Sequence, residues 1–339
     1  MYVILLQPPS PAAPPWEMCR HGAMRHFARD TAWSLFSTMN PPPTPEERTW
    51  AILSHLSALA FGMGILLPIL GWSEQRYKSK YASFQCLQAL GYQSLGYTVW
   101  VLASLLGVVI LSVLLFVMLS FQETPGTNPD VFAGLWTGFL VLVIFGLFGI
   151  YMILPVAAAV ACGLGKDFRY PVLGSRLASY LGYEPVDESP SLVEEHEVRW
   201  VAAMGHFSVI IALWGLIAPV TAWIVQGRDN AFLKFQSMQT TLYQAFVTLL
   251  YLLAGGVYLM GMILFALMFG LSGDTLFSSP AGMAGLLIFF ITLLIAALIL
   301  LAVPLFHILG QWAGYRTLKG DDYRYPWIGR LVERWMAKP

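Results

Sequence analysis

The sequence predicts an all-α integral membrane protein in which one helical unit occurs twice in tandem. Three observations support this prediction: low charge, long charge-free stretches and self-similarity at a constant offset. Charged residues make up 11% of the 339 residues and hydrophobic residues 57%, whereas a soluble chain carries roughly 25% charged residues. A soluble fold of this length could not bury so much apolar surface, so lipid is the expected solvent.

Four stretches without Asp, Glu, Lys or Arg define the expected membrane crossings. They lie between Lys80 and Glu123, Asp130 and Lys166, Lys234 and Asp274, and Asp274 and Arg316. Each is longer than the roughly 20 residues that a helix needs to cross about 30 Å of hydrocarbon. Two shorter gaps, 48–74 and 199–228, are ambiguous on length alone.

An internal repeat relates the two halves of the chain. The offset that takes Arg48 to Arg199 aligns further pairs of uncommon residues: His55 with His206, Pro68 with Pro219, Trp72 with Trp223, Gln85 with Gln236, Gln88 with Gln239 and Tyr92 with Tyr243. With small gaps, the motif Asp-Phe-Arg-Tyr-Pro at 167–171 aligns with Asp-Tyr-Arg-Tyr-Pro at 322–326. Repeated identities at one offset indicate a duplicated domain.

The repeat sets the predicted domain boundaries. A disordered, proline-rich tail covers 1–45, the first membrane repeat 46–182, an acidic linker 183–196 and the second membrane repeat 197–339. Residues 1–38 are either a genuine cytoplasmic tail or an over-extended reading frame upstream of Met39.

The ambiguous segments are expected to be hairpins rather than crossings. If each segment crossed, Lys and Arg would divide 12 to 7 between the two faces; if each re-entered, all 19 would lie on one face. The positive-inside rule prefers the second arrangement. Glycines before Pro68 and Pro219 would allow the helix to break. The prediction is four full crossings plus two short hairpins, with six crossings as the alternative.

The motifs also resemble a known family. The pattern contains Arg48, Trp50, the run His-Leu-Ser at 55–57, a midway proline and the closing motif at 167–171. It resembles small bacterial membrane domains of unknown function, distantly similar to the twenty-kilodalton subunit of the chloroplast inner-envelope import translocon (Tic). The second copy departs from it, with Phe207 in place of the leucine. The resemblance implies a helical membrane fold, and protein import only by analogy.

Repeated polar residues inside apolar segments are the candidates for an interior polar site: His55, His206, Gln85, Gln88, Gln236, Gln239, His307 and Gln311. Buried polar side chains in a membrane tend to face the bundle interior. The histidines carry protons or line a polar path, or they form structural hydrogen bonds to glutamines. The glutamine faces line a wetted cavity, or they meet water at the interface, which is the preferred interpretation. For His307 and Gln311, packing hydrogen bonds are preferred.

The motif that closes each repeat is a candidate interface anchor or docking site: Arg169, Tyr170, Pro171, Arg324, Tyr325 and Pro326. The arginines would reach lipid phosphates while the aromatic rings lie in the interface.

These patterns favour a non-enzymatic scaffold or accessory subunit of a membrane or translocation complex. The alternative is a conduit for small solutes or polypeptides, lined by the repeated His and Gln faces. Three scattered cysteines have no metal-ligand spacing, so neither a metal nor a cofactor is expected. The expected partners are the lipid bilayer and other membrane proteins, not nucleic acid, because the net charge is zero. The expected location is the bacterial inner membrane, with both termini and the basic loops cytoplasmic.

Overall fold

The computed structural model of the chain describes residues 36–38, 41–120, 129–184, 191–272 and 279–337. The first unit consists of α1 (Pro45–Leu56), a 3-10 segment (Ser57–Ile65), α2 (Leu66–Gln75), α3 (Lys80–Ser120), α4 (Pro129–Gly163) and α5 (Leu173–Leu181). The second unit repeats this order with α6 (Glu194–Phe207), a 3-10 segment (Ser208–Leu216), α7 (Ile217–Gln226), α8 (Ala231–Ser272), α9 (Pro280–Leu318) and α10 (Ile328–Met336). The all-α, two-copy prediction is confirmed in this element order.

One strand pair joins the N-terminal region to the first unit. Strand β1 (Phe36–Thr38) pairs antiparallel with β2 (Lys166–Phe168), so Phe36 lies opposite Phe168. The expectation of a disordered tail through residue 45 is therefore wrong for 36–38, because the backbone of the closing motif supplies a pairing edge. The other tail residues before 41, including Met39, lie outside the described residues.

The first ambiguous segment folds back on itself. The side chain of Gln75, at the end of α2, donates from Nε2 to Glu46 Oε1 in the first turn of α1 at 3.0 Å. A Cβ placed on Gly71 would lie 3.0 Å from Trp50 Cε3. A segment whose ends meet cannot place them on opposite membrane faces, so the hairpin arrangement holds here and the crossing alternative does not.

The second segment has the same shape and a sharper break. Ile211 and Ala212 leave helical geometry, and Ala212 adopts a positive φ of 49°. A Cβ placed on Gly205 in α6 would lie 3.6 Å from Pro219 Cβ in α7. Pro219 is the third residue of α7, where a backbone N–H would lack an intrahelical partner in any case. The break therefore precedes the proline.

Glycine is required at the tip of each hairpin because the backbone turns onto itself there. A Cβ on Gly64 would lie 1.7 Å from the carbonyl oxygen of Ser57, and one on Gly215 would lie 2.3 Å from that of Ser208. Real Cβ atoms do not approach so closely, so the two glycines close the two turns.

Within the described residues, five segments are long and apolar enough to cross a membrane: Lys80–Val117, Trp136–Gly163, Glu194–Gln226, Ala231–Leu271 and Pro280–Leu318. The third of them is the second hairpin, whose length counts both arms. The remaining four are α3, α4, α8 and α9, which correspond to the four predicted crossings.

The long helices have a protein-buried base and a lipid-exposed upper part. In α3, every residue from Lys80 to Ser94 is buried, whereas large apolar side chains are exposed from Val99 onward. The part from Val99 to Ser120 rises about 33 Å at about 1.5 Å per residue. The hairpins and the start of α3 therefore form the base of the fold.

The two units pack through a contact that has no counterpart in the repeat. Trp200 of α6 lies against α3, donates its indole N–H to the carbonyl oxygen of Leu87 at 3.0 Å, and covers Gly91. The positions equivalent to Trp200 and Gly91 are Thr49 and Leu242. The interface between the units is therefore asymmetric: α6 of the second unit contacts α3 of the first through residues that the other copy lacks.

Gly91→Ala is expected to loosen the packing of the two units. A Cβ at this position would lie 2.4 Å from Trp200 Cζ2, and overpacking of this kind costs about 1–3 kcal/mol. The matched control is Gly255→Ala, because Gly255 in α8 has no atom of the described residues within 4 Å. Detergent-induced unfolding should separate the two variants; equal stability would contradict the proposed role of Gly91.

Candidate functional site

A buried hydrogen-bond network, here the first network, joins the hairpin, α3 and the closing motif of the first unit. His55 of α1 contacts Tyr170 OH through Nδ1 at 3.0 Å and Gln85 Oε1 through Nε2 at 3.0 Å. Gln85 in turn donates from Nε2 to Asp167 Oδ1 at 2.9 Å. The three elements are thus connected through one histidine and one glutamine.

Gln88 completes the first network by bonding to the backbone of the closing motif. Its Nε2 donates to the carbonyl oxygen of Phe168 at 3.0 Å, and its Oε1 accepts the N–H of Tyr170 at 2.9 Å. Gln85 and Gln88 share one helix face because they are three residues apart. The Gln88 amide thus pairs with one carbonyl and one N–H of the closing motif, the two backbone groups that a neighbouring β-strand would bond.

The second network, in the second unit, repeats these contacts with the equivalent atoms. His206 contacts Tyr325 OH and Gln236 Oε1, each at 3.0 Å, and Gln236 Nε2 donates to Asp322 Oδ1 at 2.8 Å. Gln239 bonds the motif backbone in the same two-point manner, to the carbonyl oxygen of Tyr323 and the N–H of Tyr325. The duplicated residues therefore form one structural device twice.

Aromatic packing closes each network on the lipid side. The rings of Tyr92 and Tyr170 stack with centroids 4.1 Å apart, and those of Tyr243 and Tyr325 stack at 4.0 Å. The Tyr92 hydroxyl donates to the carbonyl oxygen of Tyr151 in α4 at 2.7 Å. The stacked pairs link the closing motifs to the long helices and shield the networks from lipid.

The histidines and glutamines of both networks are closed to solvent. His55, Gln85, Gln88, His206, Gln236 and Gln239 each expose 0% of their surface. Burial raises the pKa of the Asp167 carboxyl above its ordinary value, and the Arg169 charge opposes that shift. The hydroxyl of Tyr183 also donates to Asp167 at 3.1 Å. The preferred expectation that the glutamines meet water is wrong, because the closing motif covers them.

Sequence reasoning did not name Asp167 as a site residue, although it opens a repeated motif. Its equivalent, Asp322, lies 47% exposed at its side chain and pairs with Arg324, so the two copies differ in how deeply this carboxylate is buried. The sequence did contain a signal for this residue, because an aspartate opens the closing motif in both copies.

His307 and Gln311 lie outside the networks. His307 in α9 contacts Tyr251 OH through Nε2 at 2.8 Å, and Gln311 donates to the carbonyl oxygen of Phe207 at 2.9 Å. Both residues tie α9 to a neighbouring helix of its own unit. These contacts are packing hydrogen bonds, the preferred interpretation from the sequence.

The closing motif is arranged differently from the predicted anchor. Tyr170 and Tyr325 are buried against the histidines instead of lying in the membrane interface, while Pro171 and Pro326 are exposed. The motif's polar backbone needs partners, and the glutamines supply them inside the protein.

The two motif arginines form ion pairs within the protein. Arg169 pairs with Asp167 at 3.3 Å, and Arg324 pairs with Asp322 at 3.0 Å and also with Glu333. The side chains of Arg169 and Arg324 are 25% and 56% exposed, and their contact with lipid phosphates stays a prediction.

An ion pair between the units was not predicted at all. Arg76, after α2, lies 3.6 Å from Glu197 in α6, and each side chain exposes 2% or less. Arg76 also donates to Gln226 Oε1 at 2.9 Å, and Gln226 donates to Ser73 Oγ at 2.6 Å. Gln226 is the repeat equivalent of Gln75, so the same glutamine position serves one hairpin internally and joins the two hairpins here.

Together, the fold and the networks define a class of protein: a tandem helical membrane protein with a buried polar base and four lipid-exposed long helices. The profile of the magnetosome magnetite crystal formation protein family (MamF/MmsF) matches residues 46–177 and 197–332. Because these two segments make up most of the chain, the protein belongs to this family, in two copies. No significant match is found among curated proteins or among solved structures.

The family match is consistent with the bacterial membrane family, in two tandem segments, that the motifs predict. It gives no support to the similarity with the import translocon subunit, since the matching family is a magnetosome one.

Proposed function

We propose that this chain is a non-enzymatic scaffold, an accessory subunit that organises other components of a membrane in which magnetite crystals form. The proposal rests on one observation: the repeated polar residues form hydrogen bonds with one another inside the protein. His55 and His206, with their glutamine and tyrosine partners, bond to one another at about 3.0 Å inside the protein. Side chains committed to such bonds hold the fold and are not offered to a substrate.

The same observation counts against a conduit lined by the repeated residues. A void of about 10 Å³ is bordered by Gln93, Tyr97 and Ile211 among others, and His55, Gln85 and Gln88 do not line it. That volume corresponds to about one water probe. A path through the networks would first have to break several buried hydrogen bonds.

The amphipathic helix α10 supports a role on the membrane surface. Trp327, the residue before α10, and Leu331 and Trp335 within it are 81%, 40% and 45% exposed. Leu331 and Trp335 share one helix face because they are four residues apart. Tryptophan is enriched where protein meets the membrane interface. We assign this face to contact with headgroups or with a partner held there, on the basic and therefore cytoplasmic side.

The test uses a magnetite-forming bacterium whose own family member has been deleted. The tagged chain is expected to localise to the isolated crystal-enclosing membrane, to retain stoichiometric partners in mild detergent and to restore crystal size in electron micrographs. The double variant Trp327→Ser/Trp335→Ser should remain folded but lose partners and crystal size.

The control is Trp312→Ser, because Trp312 is 49% exposed on the different helix α9 and should leave partners unchanged. The scaffold proposal would be rejected if the chain restored crystals with no partner bound. It would also be rejected, in favour of the conduit, if purified vesicles showed a flux that depends on His55 and His206.

A further inference from the structure

An apolar groove of about 910 Å³ lies between the two units. Its walls come from α3, α4 and α5 of the first unit and from α6 and α9 of the second. The groove reaches from Tyr92 to Ala103 along α3, a rise of about 16 Å. That depth matches about half of a 30 Å hydrocarbon core, the thickness of one leaflet.

The groove exists because the long helices of the first unit separate above the base. The contacts between α3 and α4 are far fewer than those between α8 and α9. In the second unit, by contrast, a Cβ on Gly261 would lie 1.8 Å from Thr292 Oγ1, because α8 and α9 pack closely. The second unit therefore has its equivalent space closed.

Two cations and one phenol stand at the end of the groove that lies at the base. Arg176 of α5 and Lys319 after α9 both line it and are exposed. Neither forms an ion pair with any residue in the described part of the chain. Tyr180, on the same wall, has a hydroxyl without a hydrogen-bond partner among the described residues. This end is thus positively charged and can donate hydrogen bonds, while the rest is apolar.

We propose that the groove binds one anionic phospholipid, with its acyl chains along α3 and α4 and its phosphate at Arg176 and Lys319. An anionic headgroup matches the two unpaired cations, and chains one leaflet long match the depth. The groove volume lies within the range of about 300–1,000 Å³ typical of ligand sites. Trp200, which joins the units, forms part of the wall, so a bound lipid also contacts the interface between the units.

The test measures lipids retained by the purified full chain after equilibration with vesicles of equal phosphatidylglycerol and phosphatidylcholine. Native mass spectrometry in mild detergent is expected to show one phosphatidylglycerol per chain. Arg176→Gln/Lys319→Gln should reduce its preference over phosphatidylcholine roughly thirty-fold, since each cation near a headgroup contributes about five-fold.

Two further variants separate a groove from general surface charge. Ala103→Phe fills the apolar end and should abolish retention without changing charge. Arg330→Gln removes an exposed cation on α10, outside the groove lining, and should leave retention unchanged; circular dichroism checks that all variants fold. Equal retention of both lipids by the wild type, unchanged retention by Ala103→Phe, or equal loss in Arg330→Gln would overturn the proposal. So would a copurifying polypeptide that occupies the groove instead.

Discussion

His55→Leu is expected to destabilise the protein by about 2–4 kcal/mol. The substitution removes the partner of Tyr170 OH and one partner of Gln85 Oε1, both buried, and each unsatisfied buried group costs about 1–3 kcal/mol. Titration of the detergent-solubilised chain with a denaturing detergent measures the free energy of unfolding. His206→Leu should give a similar loss, because the second network repeats the geometry.

Two variants show whether the loss comes from the network. His55→Leu/Tyr170→Phe removes both ends of one hydrogen bond and should cost less than the sum of the single variants, with a coupling of about 1 kcal/mol. His307→Leu removes a helix histidine with a single hydrogen bond, worth about 0.6 kcal/mol in a membrane protein. If His55→Leu were no more harmful than His307→Leu, the network would not be the principal support of the fold.

Arg76→Met is expected to cost about 3–5 kcal/mol, the largest effect of a single substitution predicted for this chain. Glu197 exposes 1% of its side chain, and removal of its cation leaves a buried charge without compensation. Gln226 Oε1 also loses the Arg76 donor. Because these contacts join the two hairpins, the units should separate before either unfolds, which cross-linking across the interface can follow alongside the unfolding curve.

The control for charge is Arg76→Met/Glu197→Leu, which replaces both members of the pair with apolar side chains. Such replacements are often neutral or stabilising, so the double variant should recover most of the loss. Lys78→Gln removes an exposed ion pair with Glu74 and should change stability by less than about 1 kcal/mol. A loss in the double variant as large as that in Arg76→Met would mean that arginine packing, not charge, holds the interface.

The fold was predictable because its determinants are local. Charge-free length identifies α3, α4, α8 and α9, and the constant offset identifies the duplication. The hairpins were predicted from the charge distribution, because only re-entrant segments would put all 19 basic residues on one face. Their turning points were only approximately predictable, since the prolines mark the start of α2 and α7, whereas Gly64 and Gly215 allow the turns.

The environment of the site residues was less predictable because it depends on what covers them. Gln85, Gln88 and Tyr92 form the same helical stripe whether it faces water or another segment. Only the fold shows that the closing motif lies on that stripe. The Arg76–Glu197 pair joins residues more than one hundred positions apart, and Trp200 has no equivalent in the first copy. Contacts that break the symmetry of the duplication leave no periodic trace in the sequence.

The hairpins also give the protein a different cross-section in each leaflet. Their arms turn back at tips that expose Leu59, Met63 and Leu213 to lipid, whereas the four long helices continue to the other face. The leaflet on the hairpin side must accommodate additional helical arms, so the protein is wedge-shaped across the bilayer. A bilayer around many such wedges reduces its packing stress by bending, with the hairpin side on the convex surface. A small closed vesicle whose outer leaflet holds the hairpins satisfies that geometry.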